Sequence, residues 1–158
     1  AGGNLAAWAA LRLQGHSAPP ALVVLAYPTL LAEQPAPSEE LREKLLASGD
    51  PNRFASDRVR AMYEFYLGGS VENAPVPAVP GLASDEQLSQ FPPTLMINGD
   101  VDELRVSGEH FAARLAALGR DIEVVIEPGT THGHLNHPDE GTAAHDSIRR
   151  ITERMARL

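Results

Sequence analysis

The pattern of apolar positions predicts a helix at the start of the chain, followed by a buried strand. Apolar side chains recur at helical spacing until Gly15, a residue type that commonly ends helices: Leu5, Trp8, Ala9, Leu11 and Leu13. Residues 21–27 (ALVVLAY) form an uncharged run bounded by prolines, which is typical of a strand buried on both faces of a parallel sheet. A helix followed by such a strand indicates an α/β layered fold.

Residues 28–92 change character and predict short helices rather than another strand. Ser38 and Ser56 are expected to cap two amphipathic helices. Their apolar positions are Leu41, Leu45 and Leu46 in the first and Val59, Met62, Tyr63 and Tyr66 in the second. A proline-rich linker over 75–81 and a one-turn helix near 85–89 complete the segment. We expect the segment to lie over the sheet as an insertion.

The α/β pattern then resumes. Residues 94–98 and 121–127 predict two more strands, and the partial alternation in 121–127 favours an edge or near-edge position for the second of them. The alternating apolar residues are Ile122, Val124 and Ile126. Helices are predicted over 105–118 and 141–157. The chain divides into 1–27 with a helix and a core strand, 28–92 with the insertion and linker, and 93–158 with the remaining core strands and helices.

Composition and charge narrow the classes of partner. The 158 residues carry 13 Lys and Arg against 21 Asp and Glu, a formal net charge of −8. This acidity argues against a nucleic-acid partner, because proteins that bind nucleic acids need a cationic face. The longest nearly uncharged stretch, 15–32, contains three prolines and a histidine, so no membrane-spanning helix is expected. Cysteine is absent, which excludes disulfides and a cysteine nucleophile but says little about the compartment. The cytoplasm is the default expectation.

Candidate catalytic residues follow two of the predicted strands. Asp102 comes just after strand 94–98, and His132 comes just after strand 121–127. In open α/β sheets, active-site side chains lie just beyond the carboxyl ends of the strands. An acid followed by a histidine is the order of the α/β-hydrolase triad, in which a nucleophile precedes both along the chain.

The first residues of the chain fit the second half of a nucleophile elbow. In the pattern G-x-S-x-G, the serine lies on a tight turn between a strand and a helix, flanked by small residues. Ala1 and Gly2 would supply the final x-G, and the helix would open at Gly3. Adjacent glycines in a helix lower its stability by about 1 kcal/mol each relative to alanine, so a local geometric reason is expected. We therefore expect the serine to precede Ala1, within a longer protein.

Three segments together resemble the hormone-sensitive-lipase-like esterases of the α/β-hydrolase superfamily. They are AGGNLAAWAALRL at 1–13, FPPTLMINGDVDELRVSG at 91–108 and EPGTTHGHLNHP at 127–138. In that family the elbow is written G-D-S-A-G-G-N, the acid lies in D-P-L-R-D after a P-P strand, and the base lies in H-G-F. The resemblance implies the C-terminal half of an α/β-hydrolase fold, with a mostly parallel sheet flanked by helices and residues 28–92 as a helical, cap-like insertion.

The resemblance also implies an activity, that of a serine carboxylesterase acting on small, short-acyl esters without a cofactor or metal. Asp102 would be the acid and His132 the base, and the backbone N–H of Ala1 would donate to the oxyanion. Two residues beside Asp102 depart from the family pattern, which leaves Asp100 as a rival acid. The departures are Glu103 for the family proline, Val106 for the usual acidic residue and, after the base, His134 for the family phenylalanine.

Other residues support further expectations. The expected walls of a substrate pocket are Tyr27, Met62, Phe65, Tyr66, His134 and Leu135, although the apolar residues near Tyr63 could equally pack the insertion against the body. A metal cluster of His132, His134, His137 and Asp139 is the alternative for the histidine-rich loop, but a loop without a helical i, i+4 pair disfavours it.

Two classes of function remain open from the sequence. The first is the serine esterase, with an ester substrate, the N-terminal half of the same fold as partner, and a homodimer through strand 121–127 and the last helix. The second is a non-catalytic α/β-hydrolase relative that binds a ligand, or a chain that folds only with a partner. The residue before Ala1 discriminates between them, because only a serine there supports the esterase.

Overall fold

The computed structural model describes residues 1–158 and contains every helix and strand that the sequence predicts. The helices are α1 (Gly2–Arg12), α2 (Glu39–Ala47), α3 (Ser56–Leu67), α4 (Asp85–Leu88), α5 (Arg105–Ala117) and α6 (Ala143–Met155). The strands are β1 (Val23–Ala26), β2 (Thr94–Val101) and β3 (Ile122–Thr131), and short 3₁₀ turns lie at Pro80–Leu82 and His134–Asn136. The predicted α/β fold class is confirmed.

The three strands form one parallel sheet in the order β1-β2-β3. Helix α1 packs against β1, and α5 packs against β2 and β3. Because the strands are parallel, their carboxyl ends lie at the same edge of the sheet. The residues just beyond those ends, Tyr27, Asp102 and His132, are therefore brought together.

The core has two main parts. The larger cluster joins α1, β1, β2 and α5, and it includes Leu30, Ala83, Leu88 and Phe91 from the 28–92 segment. Phe91 and Phe111 meet edge to face at its centre, with ring centroids 5.4 Å apart. A second cluster joins α3 and residues around 71–79 to the body of the fold. The last part of the 28–92 segment thus shares the core of the sheet, while its middle forms a separate apolar layer.

Two local predictions need correction. Ser38 caps α2 as predicted, since its Oγ accepts a hydrogen bond from the Leu41 N–H. The predicted cap of α3 is wrong, because Ala55 has the extended N-cap conformation and Ser56 is already helical. Strand β3 continues past its predicted end at 127, to Thr131, because a proline can be accommodated in an edge strand that pairs on only one side.

Several large apolar side chains of β3 and the C-terminal region are exposed. They are Val124 and Ile126 on β3, Ile148 and Met155 on α6, and Leu158 after it. Helix α6 is buried through its small side chains Ala144 and Ser147, while Ile148 and Met155 are about half exposed. The homodimer expected through β3 and α6 stays a prediction. None of the helices has both the length and the apolar composition needed to cross a membrane.

Candidate active site

Asp102 and His132 form a hydrogen-bonded pair at the carboxyl edge of the sheet. Asp102 Oδ2 lies 2.8 Å from His132 Nδ1, and Asp102 Oδ1 accepts a hydrogen bond from the Leu104 N–H at 3.0 Å. The Asp102 side chain is fully buried, whereas that of His132 is 24% exposed. The buried carboxylate therefore has one fixed backbone donor and one imidazole partner, and it holds the ring in one orientation. This contact leaves Nε2 on the opposite side of the ring to exchange protons with a bound molecule.

Asp100, the rival acid, has a different set of partners. Its Oδ1 accepts hydrogen bonds from Lys44 Nζ at 2.7 Å and from an Arg105 Nη at 3.3 Å, and its Oδ2 accepts one from the Gly129 N–H. Burial alone would raise the pKa of Asp100, but these donors outweigh burial and lower it. Asp100 thus joins α2, α5 and the end of β3 and makes no hydrogen bond to His132.

The start of α1 approaches the end of β1 very closely. A Cβ atom on Gly3 would lie 2.8 Å from Pro28 Cβ and 3.2 Å from the Ala26 carbonyl oxygen, so only glycine fits there without a shift. A Cβ on Gly2 would meet nothing within 4 Å. The close packing expected of both elbow glycines is therefore found at Gly3 and not at Gly2.

Two cavities meet at Ala1. The first, which we call the His132 cavity, has a volume of about 330 Å³. Its lining residues are Ala1, Gly2, Gly3, Val24, Ala26, Tyr27 and His132. The second, which we call the α3 cavity, is mostly apolar and measures about 190 Å³; it is lined by Ala1, Asn4, Leu5, Thr29, Met62, Tyr63, Tyr66 and Ala78. Ala1 thus lies between the His132 imidazole and an apolar chamber.

The expected pocket residues on α3 separate into two groups. Met62 and Tyr66 line the α3 cavity, whereas Phe65 is 91% exposed and points away from it. Positions two residues apart on a helix lie on nearly opposite sides, so the burial of Tyr63 turns Phe65 outwards. The buried Tyr63 hydroxyl donates to the Thr29 carbonyl and accepts from Asn4 Nδ2, and burial raises its pKa to about 12.

Two aromatic rings enclose the His132 imidazole. Tyr27 meets it edge to face with ring centroids 4.9 Å apart, and Phe54 lies against it at 5.0 Å. Tyr27 is the one non-glycine residue with a positive φ, +35°, so its backbone is strained where β1 ends. Burial also raises the pKa of the Tyr27 phenol, while a hydrogen bond with Asn136 opposes this. No sequence pattern singled out Phe54, because this residue comes from the turn before α3 rather than from the end of a strand.

The remaining residues of the histidine-rich loop lie apart from the two cavities at Ala1. His134 is buried against α6, and its Nε2 is 2.9 Å from Ser147 Oγ. Leu135 is half-buried beside it and lines neither the His132 cavity nor the α3 cavity. His137 is exposed and pairs with Glu140. No group of three or more histidine, aspartate or glutamate side chains is arranged to hold a metal ion.

Comparison with known proteins identifies the family. A sequence model of the family described as alpha/beta hydrolase fold matches residues 1–136. The chain therefore belongs to the α/β-hydrolase family. Solved structures that the chain resembles include several esterases, and one of them is described as a bacterial homologue of human hormone-sensitive lipase, in line with the resemblance of the three motifs. No curated protein matches the chain.

Three solved structures illustrate the similarity. Carboxyl esterase 2 of the mycorrhizal fungus Tuber melanosporum has 30% identity over 96% of this chain and 49% of its own, with a TM-score of 0.75. Bacterial heroin esterase has 25% identity over 96% of this chain and 47% of its own, with a TM-score of 0.72. Brefeldin A esterase, a bacterial homologue of human hormone-sensitive lipase, shares the fold at 24% identity, with a TM-score of 0.75 over 95% of this chain and 43% of its own. The chain spans about half the length of these relatives.

Proposed function

We propose that the protein is a serine carboxylesterase whose triad consists of His132, Asp102 and a serine immediately before Ala1. The observation that carries the proposal is the 2.8 Å contact between a fully buried Asp102 carboxylate and the His132 imidazole, whose ring borders the same cavity as Ala1. A buried carboxylate on Nδ1 makes the imidazole a general base at Nε2. The esterases among the solved relatives support the same reaction class.

In the proposed reaction, the serine hydroxyl attacks the ester carbonyl carbon while His132 Nε2 takes its proton. The tetrahedral intermediate carries an oxyanion, to which the Ala1 backbone N–H donates a hydrogen bond, a contact of a type that contributes about 3 kcal/mol. When the intermediate collapses, the carbon–oxygen bond to the alcohol breaks, and His132 returns the proton to the leaving alkoxide. Water then hydrolyses the acyl-enzyme by the same steps.

We also propose that the substrates are small esters with short acyl groups. The α3 cavity adjoins Ala1, is mostly apolar and is bounded by Met62 and Tyr66. An apolar chamber of about 190 Å³ beside the proposed nucleophile would favour an acyl chain, because the chain buries its apolar surface there without breaking hydrogen bonds of the protein. Asn4 and Tyr63, hydrogen-bonded to each other, form its polar floor.

The test uses the complete protein, including the residues before Ala1, and a series of p-nitrophenyl esters from acetate to palmitate. The variant His132→Ala should lower kcat by a factor of about 10³ or more, because no other group near Ala1 can take the proton. His137→Ala is the matched control, since this histidine is exposed and outside both cavities, and it should retain wild-type activity. A fluorophosphonate probe should label the serine that we propose immediately before Ala1. Unlabelled protein without ester hydrolysis would instead support the non-catalytic relative.

A further inference from the structure

A buried chain of polar side chains underlies the loop that carries His132, and the proposed reaction does not use it. His134 Nε2 lies 2.9 Å from Ser147 Oγ, Ser147 Oγ donates to Glu127 Oε1 at 3.2 Å, and Arg150 Nε donates to the same Glu127 oxygen at 3.0 Å. Ser147 is fully buried, Glu127 is 3% exposed and His134 is 6% exposed. The chain therefore links the end of β3, the His132 loop and α6.

Hydrogen bonding and burial hold the His134 ring in place. Its Nε2 lies 2.9 Å from Ser147 Oγ, which in turn donates to Glu127 Oε1. Burial lowers the pKa of His134, whereas the nearby Glu127 carboxylate and the Thr131 backbone carbonyl oppose this shift. The buried ring is thus anchored in one orientation between the His132 loop and α6.

Tyr27 connects this fixed ring to His132. Its ring lies edge to face against His134, with centroids 5.6 Å apart, and edge to face against His132, with centroids 4.9 Å apart. Contact with the anchored His134 imidazole restricts the Tyr27 ring. Contact with the same Tyr27 ring in turn limits how the His132 imidazole can tilt.

We propose that His134 is a positioning residue: anchored by Ser147 and Glu127, it fixes Tyr27 and, through Tyr27, the orientation of the His132 imidazole. This inference rests on the proposed function, because it assigns a role in proton transfer by His132. It also gives a physical reason for an aromatic ring at position 134. The ring supplies the packing on Tyr27, and the hydrogen bond through Nε2 anchors the ring.

Substitutions in the complete protein separate the ring from its anchor. His134→Ala removes both and should lower kcat at least tenfold while KM changes less than twofold, because substrate binding does not involve position 134. Ser147→Ala keeps the imidazole but removes its hydrogen-bond partner, and kcat should fall about fivefold. His134→Phe likewise keeps a ring against Tyr27 but lacks the anchor, so its kcat should match that of Ser147→Ala and exceed that of His134→Ala.

A control variant separates positioning from loss of stability. The variant Ile151→Ala, on α6, removes part of a half-buried side chain that takes no part in the hydrogen bonds among the four polar residues. Assayed well below each melting temperature, it should keep wild-type kcat even if its melting temperature falls as far as that of Ser147→Ala. If Ser147→Ala and His134→Ala have the same kcat as Ile151→Ala, the positioning role is wrong. If His134→Ala does not fold, Ser147→Ala decides alone. If His132→Ala keeps its activity, the proposed function fails instead.

Discussion

Replacing Asp102 with asparagine tests the proposed acid of the triad with the smallest change in shape. The fully buried carboxylate accepts from two donors, the Leu104 N–H at Oδ1 and the imidazole of His132 at Oδ2. An asparagine has only one oxygen. Because the Leu104 N–H is fixed in the backbone, the amide oxygen should remain there, and the amide NH₂ should face His132 Nδ1.

This orientation determines the expected size of the effect. Facing an NH₂ group, His132 must present a lone pair at Nδ1 and carry its proton on Nε2, so it cannot accept the proton of the serine. Loss of the correct tautomer lowers kcat by about 10⁴ in serine hydrolases, or about 5.5 kcal/mol of transition-state stabilisation. KM and the melting temperature should change little, since the side chain keeps its volume and its backbone hydrogen bond.

The assay is the hydrolysis of p-nitrophenyl acetate by the complete protein near neutral pH. Asp100→Asn is the matched control. Asp100 lies only two residues before Asp102, but it accepts hydrogen bonds from Lys44, Arg105 and the Gly129 N–H and makes none with His132. Its kcat should stay within about tenfold of wild type, and its melting temperature should fall. The assignment is refuted if Asp102→Asn keeps more than about 10% of the wild-type kcat, or if both variants lose activity equally.

Three further outcomes concern stability. Gly3→Ala should destabilise the protein by about 1–3 kcal/mol through overpacking, whereas Gly2→Ala should not, and thermal denaturation compares them. Tyr63→Phe should lower the free energy of unfolding by about 1–2 kcal/mol, because it removes two buried hydrogen bonds, whereas the exposed Tyr66→Phe should be neutral in urea denaturation. The lowered pKa of Asp100 stabilises the fold above the ordinary aspartate pKa, and this contribution is lost as the pH falls through the lowered value; acid unfolding of Asp100→Asn should lack that component.

The sequence predicted the sheet and the proximity of Asp102 and His132 for one physical reason. Buried parallel strands have uncharged runs, and the residues that follow them, Asp102 and His132, share an edge of the sheet. The cap of α3 was mispredicted because serine is a much more common N-cap residue than alanine, so Ser56 was chosen over Ala55. In the structure the turn before the helix gives residue 55 the N-cap conformation, and Ser56 is the first helical residue.

The surroundings of the pair could not be predicted from the sequence. Phe54 and Ser147 reach the histidine loop from a turn and a helix whose relative placement depends on the whole fold. Periodicity specifies which face of a helix is buried but not which side chain lies opposite. His134 illustrates the limit: the motif placed it beside the substrate, whereas the structure places it against α6.

The contact between Phe54 and His132 has a consequence for how this fold diversifies. The 28–92 segment provides one of the two rings that enclose the imidazole, and its Lys44 holds the carboxylate next to the acid. The segment is therefore not an exchangeable module that could be grafted between relatives to alter substrate choice alone. Under the proposed function, a transplanted segment without an aromatic side chain at this turn would also change turnover, so that selectivity and rate would be inherited together.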